Sequence, residues 1–131
     1  MASVLTYVGE DWVCQRLAGV GAMSGAGATG SSWVAWGTGA TGATKGDTTL
    51  FAESIDEVRI GGTATVVNSG ASAYYQNVGE IQCAVGAKSI AEAGLFDQFA
   101  IGGNMFVRGD FAPISVSPLD KIEFTFKLNP T

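Results

Sequence analysis

Histidine is absent from the 131 residues of this chain. That removes the commonest general base and the commonest metal ligand. Positive charge is scarce as well: Arg16, Lys45, Arg59, Lys88, Arg108, Lys121 and Lys127 are scattered, and no two lie within five positions of each other. Phosphate neutralisation needs clustered Lys and Arg, and so does a polybasic membrane patch; neither nucleic acid nor a membrane is expected as a partner. No run approaches the roughly 18–20 apolar residues of a membrane span. The N-terminus shows no basic region followed by an apolar stretch, so no secretory signal is read and synthesis in a cytoplasm is expected. Cysteine is limited to Cys14 and Cys83, with no C-x-x-C spacing and no disulfide framework. Two small buried hydrophobes or one bridge, within or between subunits, are both open readings.

Charge of either sign is low. Charged residues make up 15% of the chain, against about a quarter in typical domains. Glycine, at 19 residues, is about twice its usual share. A surface of Gly, Ala, Ser and Thr with few charges suits cover by neighbours in an assembly. The length fits one domain, residues 1–131, large enough to bury a core without metals or staples.

The pattern along the chain is mainly β. Residues 1–8 read as an extended arm or a first short strand. Residues 9–18 read as a short helix, with Glu10 and Asp11 at its start, Arg16 near its end and Gly19 to stop it. Residues 19–32 are a Gly/Ala/Ser-rich loop. Short extended pieces follow at 32–36, 48–54, 57–60, 63–68, 74–85, 89–96, 104–108, 112–116 and 121–128, with turn signals at Gly61-Gly62 and Asn68-Ser-Gly70. The last piece is the clearest: Ile122, Phe124, Phe126 and Leu128 alternate with Lys121, Glu123, Thr125 and Lys127. Many short strands at close spacing predict an antiparallel sandwich, jelly-roll-like, with one short N-terminal helix and long Gly-rich loops.

Candidate chemistry is thin. Gly37-Thr-Gly-Ala-Thr-Gly42 matches a dinucleotide-binding string, but Ala-Thr-Lys-Gly-Asp-Thr-Thr follows it, which is poor helix material. It reads as a loop. Asp56, Glu57, Asp110 and Asp120 read as solvated turn charges. Glu53 and Glu92 differ, because Leu50, Phe51 and Ile55 flank the first and Leu95 and Phe96 the second. A partly buried carboxylate needs a partner, and Arg59 and Arg108 stand in similar apolar settings. The expectation is that these arginines pair with these glutamates, within or across subunits. Trp12, Trp33, Trp36, Tyr74 and Tyr75 are either a sugar-stacking platform or core and interface anchors. In a strand, Trp33 and Trp36 point to opposite faces, which puts at least one in the core.

Several pieces stand in order along the chain: Trp36-Gly-Thr-Gly39; Asp47-Thr-Thr-Leu50 with Glu53 and Arg59; and Glu92-Ala-Gly-Leu-Phe96. Gly102-Gly103, Arg108, Phe111, Pro113-Ile-Ser-Val116 and Lys121-Ile-Glu-Phe-Thr-Phe-Lys-Leu128 complete the series. Over residues 33–128 this resembles a group of small structural proteins of tailed-bacteriophage virions. The resemblance implies a non-enzymatic β-rich building block with no catalytic residues, cofactor or metal. It implies a head decoration (cement) protein on the capsid surface, bound to the major capsid protein or other virion proteins, with a homotrimer favoured. A tail, fibre-base or head–tail junction component is the alternative, and a carbohydrate-binding module is a third. The structural or interface candidates are Trp12, Trp33, Trp36, Glu53, Arg59, Glu92, Phe96 and Arg108.

Overall fold

The computed structural model describes residues 2–10, 13, 33–68 and 73–128. Trp12, Cys14, the 19–32 segment and most of the expected helix lie outside the described residues. The described residues form eight strands: β1 (Ala2–Leu5), β2 (Trp33–Gly37), β3 (Ile60–Gly61), β4 (Thr63–Asn68), β5 (Ala73–Gln82), β6 (Lys88–Phe96), β7 (Met105–Val116) and β8 (Lys121–Leu128). They form two antiparallel sheets, β1-β7-β6-β2-β3 and β4-β5-β8. The fold is the expected mainly-β sandwich. Residues 2–5 take the strand reading, paired to β7 with Leu5 opposite Val107. Helical backbone begins at Tyr7, two residues before the expected start.

The core lies between the sheets. Ile81, Phe124 and Phe126 from the small sheet meet Val34, Trp36, Ile90, Ala93, Leu95 and Val107 from the large one. The alternation in β8 is as read: Phe124 and Phe126 are buried, while Lys121, Glu123, Thr125 and Lys127 are exposed. The faces of β5, ambiguous in the sequence, resolve with Asn77, Gly79 and Ile81 inward and Glu80 and Gln82 outward.

The large sheet is buried on both faces. Its outer face carries a second, smaller cluster of Ala35, Leu50, Phe96 and Met105, with Trp33 packed against it. Two irregularities in the β6–β7 pair set this arrangement. Leu95 pairs with Val107 and Phe96 with Met105, so Phe106 is an extra residue on β7. Ile90 pairs with Ile114 and Glu92 with Asp110, so Phe111, Ala112 and Pro113 face Ala91 alone. Proline has no N–H to give a ladder and sits where pairing is broken. The strands expected at 104–108 and 112–116 are therefore one strand with this irregularity inside it. Bulging changes which side chains face the core: Ile90, Ala93 and Leu95 point inward, and Glu92, Gly94 and Phe96 point outward.

Residues 38–59 cover that outer face. The expected strand at 48–54 is reduced to an isolated bridge between Gly37 and Glu53. Bonds from Thr38 N to Ala52 O and from Ser54 N to Trp36 O fix the loop beside β2, each at 3.0 Å. A long loop across a sheet face needs partners for its backbone, and side chains of the sheet supply them.

Candidate functional site

Glu92 and Arg108 stand on the outer face of β6 and β7, each with no exposed surface. Arg108 donates from Nε to Glu92 Oε1 at 3.1 Å, and its Nη2 lies 3.0 Å from the same oxygen. Three backbone N–H groups of the covering loop also donate to Glu92: Gly39 at 3.0 Å, Phe51 at 2.9 Å and Ala52 at 2.8 Å. Arg108 in turn donates to Asp47 Oδ2 at 3.1 Å and to the Thr41 carbonyl at 2.7 Å. Its guanidinium lies 4.6 Å from the Phe51 ring centroid. Gly39 is required by the close approach, since a Cβ there would lie 2.6 Å from Glu92 Oε2. Burial works to raise the Asp47 pKa, but bonds from the Thr44 backbone and hydroxyl and from Arg108 outweigh it and hold the carboxyl below its ordinary value.

A second pair lies on the same face. Arg59 grips Glu53 with a two-bond fork, Nε to Oε2 and Nη2 to Oε1, both at 2.9 Å. Its remaining nitrogen, Nη1, donates to three carbonyls of the β6–β7 loop: Gln98 at 3.1 Å, Ala100 at 2.8 Å and Gly102 at 3.0 Å. The guanidinium lies over the Phe96 ring, 3.6 Å from its centroid. Asp97 closes the base of that loop by accepting from Asn104 N at 2.8 Å and Asn104 Nδ2 at 3.0 Å. The loop so held presents Phe99 and Ile101 to solvent, with Phe99 edge-on to Trp33 at 5.3 Å.

A third centre was not foreseen. Glu57, read from the sequence as a solvated turn charge, is buried. It accepts from Trp36 Nε1 at 2.9 Å, Ser54 Oγ at 3.0 Å, Ala84 N at 3.0 Å and Lys88 Nζ at 2.8 Å. Lys88 also reaches Asp56 at 3.1 Å. Burial pushes the Glu57 pKa up, but the bonds from Lys88, Ala84, Trp36 and Ser54 prevail and hold it at about 2. The signal available in the sequence was Trp36: a core tryptophan needs an acceptor for its indole N–H.

The glutamate–arginine pairings expected from the sequence therefore occur as Glu53–Arg59 and Glu92–Arg108, within one chain. Trp36 and Phe96 are buried, Trp33 keeps part of its surface, and Trp12 lies outside the described residues. Asp110 accepts from Ala43 N at 3.1 Å and Asp120 from Ser117 N at 2.8 Å. Cys83 is a buried free thiol whose Sγ lies 3.2 Å from Gly86 O. The Gly37–Gly42 string opens no helix, and a phosphate cradled at Gly39 would meet the Glu92 carboxylate. Among the described residues, no group of three or more Cys, Asp or Glu side chains is placed to hold a metal ion.

Each of the three carboxylates is bonded to a cation or to backbone N–H groups, an arrangement that fixes loops. The molecule belongs, by its fold, to the two-sheet antiparallel β-sandwiches. Comparison with protein-family models, with curated proteins and with solved structures gave no match.

Proposed function

We propose that this chain is a non-enzymatic structural protein of a tailed-phage virion, a decoration (cement) protein acting as a homotrimer on the outer surface of the head. The supporting observation is where the residues of the family resemblance lie. Gly39 and Asp47 converge with Glu92 and Arg108, and Glu53, Phe96 and Gly102 converge with Arg59. The shared residues thus serve to lock long, low-charge loops onto a sandwich.

The loops so held offer apolar side chains to the outside. Phe51, Ile55, Val58, Phe99 and Ile101 are each more than half exposed. Large exposed apolar groups on fixed loops suit contact with a neighbouring protein. In this reading the protein acts mechanically: it spans seams between major capsid subunits, each interface burying roughly 1,200–2,000 Å², and many copies together raise the barrier to opening the lattice.

Copy number in purified particles, measured by quantitative mass spectrometry against the major capsid protein, tests the proposal. A ratio near one per capsid subunit supports cement. A few copies per hundred would move the chain to the tail, fibre base or head–tail junction. Absence from particles, with saturable glycan binding that is lost on removal of Trp33, would favour the carbohydrate-binding reading.

A further inference from the structure

Among the described residues, one edge of the small sheet is left open. β4 pairs with β5 only as far as Thr63 opposite Val78, because at Gly62 the chain crosses to the large sheet. β5 runs on to Gln82, paired on its other side with β8 from Gly79 opposite Phe124 to Gln82 opposite Lys121. In an antiparallel strand alternate residues direct both backbone groups to the same neighbour. Two of the four residues 79–82 therefore point an N–H and a C=O away from β8, towards the side where β4 has ended. Among the described residues, no backbone hydrogen bond joins 56–60 to 79–82. Between these two segments lies an open cleft of about 440 Å³, with Val58, Ile60, Ile81 and Ala84 as apolar walls.

We propose that this cleft binds an extended segment of a partner protein, added as a strand beside residues 79–82, with aliphatic side chains alternating with lysine or arginine. The backbone edge gives the pairing mode. Four residues of β5 are open, so the paired stretch spans about 13 Å. Charge decides the composition. Asp56, Glu57 and Glu80 face the cleft with Lys121, and Lys88 stands behind Asp56 and Glu57. Three carboxylates against two ammonium groups leave the wall net negative, and Asp56 and Glu80 are each about half exposed. A second copy of the chain would bring the same acidic rim, and the whole chain carries −5. Like charges placed opposite one another across a strand pair disfavour that pairing, so a basic partner strand is the complementary occupant. The inference does not depend on where in a particle, or whether in one, the chain resides.

The test is a titration of the full isotope-labelled chain with three blocked synthetic pentapeptides, followed by amide NMR. The first is Lys-Val-Lys-Val-Lys, the second Glu-Val-Glu-Val-Glu, and the third the basic peptide with every backbone nitrogen methylated. The expected result is saturable shifts at Val58, Glu80, Ile81 and Gln82 with the first peptide only. Asp56→Asn with Glu80→Gln, both at exposed side chains, should weaken that binding about fivefold, the scale of two exposed charge contacts. Equal response to the acidic peptide, equal response to the methylated peptide, or no saturable shift at those four residues overturns the proposal.

Discussion

Glu92 and Arg108 are diagonal neighbours across β6 and β7, with Gly94 opposite Arg108 and Asp110 opposite Glu92. Neither has exposed surface, and both reach up to hold the same loop. Every hydrogen-bond partner of the Glu92 carboxylate is a donor. Glu92→Gln keeps the shape but turns an NH2 group towards those donors and leaves Arg108 less compensated. Breaking one side of a buried pair costs about 3–5 kcal/mol, and a urea denaturation curve measures it. A loss below 1 kcal/mol would mean that the pair does not fix the loop.

Arg59 separates charge from geometry. Arg59→Lys keeps the cation but cannot bond Glu53 with a fork while also reaching three carbonyls. Thermal stability should fall, and the 98–102 backbone should become open to limited proteolysis while the strands stay protected. The Phe99–Trp33 edge contact depends on that loop, so tryptophan fluorescence should shift as well. If lysine leaves the proteolysis pattern unchanged, the three-carbonyl grip is not what holds residues 98–102.

Glu57 sets a pH dependence with a definite sign. Its folded pKa, about 2, lies below the ordinary 4.5. Its contribution to stability is therefore complete above pH 4.5 and is lost as the pH falls from there towards 2. Burial works to lower the Lys88 pKa, but its bonds to Glu57 and Asp56 raise it above 10.5, so that contribution is lost only on the strongly alkaline side. Glu57→Gln should be less stable at neutral pH and should flatten the acid limb between pH 4.5 and 2. An unchanged acid limb in that variant would assign the acid sensitivity to other carboxylates.

These centres also mark what the sequence discloses. Glu53 and Glu92 stand among apolar neighbours, and so do Arg59 and Arg108, so burial and pairing could be read from local context. Glu57 could not be read that way. Its sequence neighbours Asp56 and Val58 are exposed, while Lys88, Ala84 and Trp36 reach it from 21 to 31 positions away. The strands with simple alternation, β8 above all, were legible for the same local reason. β6 and β7 were not, because Phe106 and the 111–113 irregularity break the alternation at places where only the partner strand specifies the break.

Gly62 and Asn77 make a coupled pair. A Cβ on Gly62 would stand 2.0 Å from Asn77 Oδ1 and 3.1 Å from Val78 O. Asn77 is wholly buried, with Oδ1 unpartnered and Nδ2 3.2 Å from the Tyr75 hydroxyl. Gly62→Ala should cost about 1–3 kcal/mol, as overpacking does. In an Asn77→Ala background most of that cost should vanish, because the clashing oxygen is gone. Denaturation of the two single variants and the double variant gives the coupling; simple additivity would mean that the clash is not with Asn77.

Leu119 sits at the tip of the turn between β7 and β8 with φ at 80° and 77% of its surface exposed. A branched apolar side chain in the left-handed region is strained by about 1 kcal/mol, and its exposure recovers nothing by burial in the isolated chain. The turn itself is held by Leu119 N donating to Cys83 O at 2.8 Å and by Asp120 N donating to Ser117 O at 2.9 Å, and neither bond needs the leucine side chain. Leu119→Asn keeps both bonds and tolerates this backbone better. It should raise stability by several tenths of a kcal/mol, read as an increase in the urea midpoint. If the side chain serves as an anchor on a neighbouring protein, the same variant should weaken attachment to purified particles while the free protein grows more stable. Gain of stability with unchanged attachment would leave Leu119 strained for no assembly purpose, and the contact surface would then lie with Phe99 and Ile101 at the other end of the large sheet.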